Sequence, residues 1–160
     1  MNYESLLSAA DSLGLITKEK DLQAYDGRIK GRRVAIRRSI STQRKKACVL
    51  AEELGHYFTS TGDILGGDVS SRKQERLARL WAYNLQIGLS GLIYASEAGC
   101  CNNYEAAEFL DVPELFLAEC LKCYHEKYGP WIRYQGHVIR FDPYFEVLTE
   151  EEAMNRVNDW

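Results

Sequence analysis

Residues 43–59 read Gln-Arg-Lys-Lys-Ala-Cys-Val-Leu-Ala-Glu-Glu-Leu-Gly-His-Tyr-Phe-Thr. Ala47, Leu50, Ala51 and Leu54 recur at three- and four-residue spacing, the pattern of a helix with one buried face. Ser41 or Thr42 precedes it as an N-cap. On such a helix Glu52 and His56 stand at i and i+4 and share a face, so both can reach one metal ion. Glu53 lies about 100° further around the axis.

That layout matches a helical HExxH motif, in which the glutamate takes a proton from metal-bound water attacking a peptide carbonyl. Here the first histidine is replaced by Glu52. Carboxylates are legitimate zinc ligands, yet EExxH also occurs on ordinary solvated helices. By itself the pentapeptide leaves both readings open.

The rest of the chain supplies a mainly helical α+β pattern. Residues 3–14 are apolar at helical spacing and end at Gly14, a plausible C-cap. Two strands are expected within 22–41, with turns at Asp26-Gly27 and Lys30-Gly31. A glycine-rich loop over Thr59–Ser71 leads to a helix at about 71–87, and further helices are expected at 89–98, 103–110 and 113–127. Pro113 suits the first helical position. Beyond Pro130, Gln135-Gly136 between two apolar-alternating runs predicts a hairpin over 131–141. Thr149 and Glu152 stand in capping-box register before a short helix. The organisation expected is one domain over 1–147, with metal-site helices at 43–87, a helical part at 89–128, that hairpin, and an acidic tail at 148–160.

At 160 residues with 46% hydrophobic and 27% charged residues, the chain is too apolar to be disordered and long enough to build a core. No apolar run reaches membrane-spanning length, and Met1–Glu4 carries no basic lead into an apolar stretch. The expectation is a cytoplasmic protein whose five cysteines are reduced. Cys120-x-x-Cys123 with His125 has no second CxxC and reads as packed helix thiols. His125 and His137 read as surface residues. Nine basic and no acidic residues fall between Arg28 and Lys46, leaving 11 basic against 23 acidic groups elsewhere, a net −12. Such a stripe can steer an acidic partner or nucleic acid; alternation in Arg33-Val34-Ala35-Ile36-Arg37 favours a solvated strand face. Ala106-Ala107-x-x-Leu110-x-Val112 has helix-turn-helix spacing, but its acidic neighbours repel phosphate, so direct nucleic-acid binding is not expected.

The stretch Cys48–Leu65 around Glu52-Glu53-Leu54-Gly55-His56 resembles the phage and mobile-element branch of the ImmA/IrrE metallo-endopeptidases, with EELGH in place of HELGH. So do Arg72–Tyr83 on the next helix, Tyr104–Val112, and Tyr124 to Gly129 leading into the hairpin. The resemblance covers most of residues 1–145 in order. It implies a zincin-like domain with a short N-terminal sheet, and a zinc-dependent endopeptidase that cuts a helix-turn-helix repressor, releasing phage or mobile-element genes. The alternative it leaves is a catalytically lapsed homologue that sequesters the repressor as an anti-repressor.

Position by position, the resemblance puts Glu52 in place of the first zinc histidine, Glu53 at the general base and His56 at the second histidine. Glu75 matches the acidic third ligand. Two carboxylates neutralise a dication and raise the pKa of its bound water, and they bring Mn or Fe into contention beside Zn. Asp63 is a candidate acceptor for the second nitrogen of His56 or else a turn cap beside Gly62. Tyr57 and Tyr83 are candidate oxyanion donors or core tyrosines. Without the resemblance, Glu75 reads as a surface charge paired with Arg72 or Arg79.

Overall fold

The computed structural model describes residues 1–60, 68–141 and 145–158, with side chains defined outside 61–70, 142–144 and 157–160. It forms two compact units, residues 1–86 and 87–160. The architecture is α+β and mainly helical.

The first unit runs α1 (Tyr3–Ser12), β1 (Ile16–Lys20), β2 (Gly27–Lys30), β3 (Arg33–Arg37), α2 (Gln43–Thr59) and α3 (Asp68–Gln86). Asn2 caps α1 by accepting from the Ser5 N–H at 2.8 Å, and Gly14 turns the chain at φ +73°. β2 and β3 form the expected hairpin around Gly31, whose φ of +58° the tight turn requires. β1 was not among the expected strands. It pairs parallel with β3, giving the order β1-β3-β2. Its inward positions are polar: Glu19 receives the buried Lys46 ammonium at 2.9 Å to both oxygens and takes the Tyr3 hydroxyl, which holds the Tyr3 pKa up at about 12, mainly through burial.

α2 keeps its expected bounds. Thr42 Oγ1 accepts from the Lys45 N–H at 3.3 Å, so Thr42 rather than Ser41 is the cap. Its apolar face meets Val34 and Ile36 of β3, Leu6 of α1 and Ala78 and Ala82 of α3 in one buried core. α3 begins at Asp68, earlier than expected.

The second unit contains α4 (Gly88–Glu97), α5 (Asn103–Phe109), α6 (Glu114–Tyr128), β4 (Trp131–Tyr134), β5 (His137–Arg140), β6 (Glu146–Thr149) and α7 (Glu150–Asn158). Pro113 is the N-cap of α6, not its first helical residue. The 131–141 hairpin forms around Gln135 and Gly136, both at positive φ (48° and 75°), as a type I′ turn demands. Residues 146–149, expected in part as tail, add a third antiparallel strand. The capping box is present: Glu152 Oε2 accepts from the Thr149 N–H at 2.8 Å, and Thr149 Oγ1 from the Glu152 N–H at 3.2 Å. Of the residues with helix-turn-helix spacing, Ala106, Ala107 and Val112 are core and Leu110 is half-buried.

Candidate metal centre

The site is built where α2 crosses α3. Ala51 and Gly55 on α2, and Ala78 and Ala82 on α3, are i, i+4 pairs of small buried residues. The backbones approach so closely that a Cβ at Gly55 would fall on the Ala78 carbonyl. Glycine inside this helix therefore sets the crossing distance. Glu75, one turn ahead of Ala78, comes opposite His56, the residue after Gly55.

His56 Nε2 and Glu75 Oε2 lie 3.2 Å apart, both partly exposed. The other carboxylate oxygen of Glu75 takes the Arg79 Nε–H at 2.9 Å. Glu75 thus meets the surface partner expected of it and the imidazole together. Burial works against the Arg79 charge, but the carboxylates of Glu52 and Glu75 outweigh it and hold the guanidinium more firmly protonated than usual.

Glu53 points elsewhere, as the 100° offset requires, and is buried under β2. A Cβ on Gly27 would sit 2.6 Å from Glu53 Oε1 and 2.7 Å from Val49 Cγ1, so only glycine fits where strand meets helix. The Ile29 N–H donates to the Glu53 carboxylate. Burial, then the charges of Glu52 and Glu75, push the Glu53 pKa up from 4.5 to about 7, against the lowering effect of that hydrogen bond.

Phe58 of α2 stacks on Trp81 of α3, with centroids 5.0 Å apart. Tyr57 meets Phe58 edge-on at 5.2 Å, and Tyr83 is buried. Asp63 lies outside the described residues. His137 leans on its own turn through Nδ1 at 2.9 Å from the Gln135 carbonyl. Cys120, on α6 with Cys123 and His125, is buried, and burial raises its thiol pKa.

Zinc bonds of 2.0–2.2 Å in a tetrahedral shell put neighbouring donor atoms ~3.3 Å apart. The His56–Glu75 spacing fits that measure. The expected third donor, Glu52, is not gathered with them: among the described residues, no group of three or more His, Cys, Asp or Glu side chains could hold one metal ion. The structure therefore brings together two of the three expected ligands, while the expected base, Glu53, is turned under β2 within reach of their charge.

One contributor escaped the sequence reading: Gly27 was seen only as a turn residue, and nothing local signals its approach to Glu53. Arg79 was expected as a surface partner of Glu75 from the i, i+4 spacing, and it takes that place. No helix among the described residues is long and apolar enough to cross a membrane. No protein-family model, curated protein or solved structure matches the chain.

Proposed function

We propose that the α2–α3 crossing is the site of a zincin-like, metal-dependent endopeptidase whose substrate is a helix-turn-helix repressor. The observation that carries this reading is the approach of His56 Nε2 and Glu75 Oε2 to 3.2 Å from two helices. Both belong to the expected ligand set. Glu52, on the His56 face of α2, is the third member of that expected set and is not gathered with the other two, so the pair His56 and Glu75 carries the reading. A divalent ion held by His56 and Glu75, Zn or alternatively Mn or Fe, would supply Lewis acidity toward a peptide carbonyl. Glu53 accepts the proton of the attacking water and returns it to the departing amine. The Ile29 N–H and the wall at Gly27 fix the orientation of its carboxylate.

A second reading has its own observation. Arg79 already supplies a cation to Glu75 and feels the charge of Glu52, so part of the carboxylate charge is offset without a metal. A lapsed peptidase retaining this arrangement acts as an anti-repressor that binds without cutting. The two separate on a gel. Under the first reading, protein loaded with Zn, Mn or Fe cleaves the repressor encoded beside it, chelator stops cleavage, and His56→Ala loses both metal and activity. Tight repressor binding with no cleavage under any of the three metals establishes the second.

A further inference from the structure

β3 alternates strictly: Val34 and Ile36 are buried against the helices, while Arg33, Ala35 and Arg37 face the other way. Register extends that outer face across the sheet. Arg28, Ala35 and Lys18 form one cross-strand row, and Lys30, Arg33 and Ile16 the next. With Lys20 and Leu22 they line an open concavity of about 610 Å³. Lys18, Lys20, Arg28, Lys30 and Arg33 ring it, and among the described residues none of the five has an acidic partner. Arg37, beside them, is neutralised by Asp26 at 3.3 Å.

Sheet stability does not account for this arrangement. Lys30 and Arg33 are directly opposed across β2 and β3, where like charges destabilise. Edge protection needs charges on the outer strands only, yet Arg33 lies on the central one. Residues 1–86 carry 15 basic and 10 acidic groups, a net +5, whereas residues 87–160 carry 5 and 13, a net −8. The positive charge of the chain is thus confined to the unit that bears this face.

The lining also separates two kinds of anion. It holds no aromatic side chain, so bases find no stacking platform. The rest of its lining is aliphatic, from Ile16, Leu22, Val34 and Ala35, and a phosphate backbone would leave that surface uncovered. An acidic peptide with an aliphatic residue between carboxylates covers the aliphatic lining and meets the cations beside it.

We infer that the outer face of the β1-β3-β2 sheet is a docking surface for an acidic, amphipathic segment of a partner protein. It is independent of the metal-site reading and is tested by binding alone. The probe is a short fluorescein-labelled peptide of glutamates around two leucines, titrated with the full chain by fluorescence anisotropy at about 50 and 200 mM salt. Comparison probes replace the glutamates by glutamine or the leucines by serine, and a labelled DNA duplex runs beside them.

The acidic peptide binds, more weakly at the higher salt, and loses affinity with either replacement. Lys18→Glu with Arg28→Glu weakens it roughly tenfold or more. Lys30→Glu is the sharper variant. It places opposite charges across β2 and β3, so the chain melts no earlier while binding falls several-fold. Equal binding of the glutamine peptide, undiminished binding by these folded variants, or tighter binding of the duplex overturns the inference, the last in favour of nucleic acid.

Discussion

Glu53→Gln separates a carboxylate kept for chemistry from one kept for packing. In the native chain its pKa stands at about 7 against an ordinary 4.5, raised first by burial and then by Glu52 and Glu75. The folded state therefore holds the Glu53 proton more tightly than the unfolded chain does. That contribution to stability is fully present below pH 4.5 and is lost as pH rises through 7. The gap, at about 1.4 kcal/mol per pH unit, comes to about 3 kcal/mol. Glutamine keeps the shape and an acceptor for the Ile29 N–H but never ionises. Urea unfolding of chelator-treated protein should show the variant gaining on the wild type by about 2–3 kcal/mol between pH 5 and pH 8, on top of whatever constant cost the buried amide carries. In the cleavage assay the same variant should fall about a hundredfold or more. Gaining stability while losing activity marks a group held at a structural penalty for function. A stability difference that is flat with pH refutes the placement of Glu53 as a buried, ionisable carboxylate.

Gly55→Ala should destabilise the chain by roughly 2–3 kcal/mol, because the new methyl falls on the Ala78 carbonyl and the helices must separate; an unchanged melting temperature contradicts the close crossing. Arg79→Gln releases Glu75 from its cation and should tighten Zn uptake, read by elemental analysis after dialysis against limiting metal. Unchanged uptake would mean that the arginine does not compete with a metal there. Gln135→Gly relieves a side chain held at φ +48° and should stabilise the hairpin by roughly 0.5–1 kcal/mol, checked by thermal melts.

The legible elements were those whose signals are local. Thr42 and its apolar face announce α2, Gln135-Gly136 the C-terminal hairpin, and Thr149 with Glu152 the start of α7. β1 was hidden because hydrophobic alternation cannot register Thr17 and Glu19 as inward-facing residues. Glu19 is satisfied there by Lys46, 27 residues away, not by apolar packing. β6 was hidden for a similar reason: Glu146 is held by Arg140 and Arg156 rather than by apolar packing, and Leu148 and Thr149 fall in the stretch expected as an acidic tail. In the site, i, i+4 spacing offered Glu52 and His56 as a pair, but the contact the structure shows is His56 with Glu75, which only the family resemblance proposed as a ligand. The pairing of Glu75 with Arg79 was legible from its i, i+4 spacing on one helix, whereas nothing local foresaw that Gly27 would wall in Glu53, because that depends on how separate elements meet.

The contact between Gly55 and Ala78 ties the site to the interior in a way that an isolated motif is not. His56 and Glu75 stand on different helices, so their separation is set by how far apart those helices ride, and one methyl group is enough to change it. The core beneath thus serves as the spacer that gauges the gap between the two donor atoms. A peptide carrying only residues 43–59 would keep the pentapeptide and lose the pair. Drift at position 55 or 78 would likewise have to be matched on the opposite helix, making the two positions evolve as one.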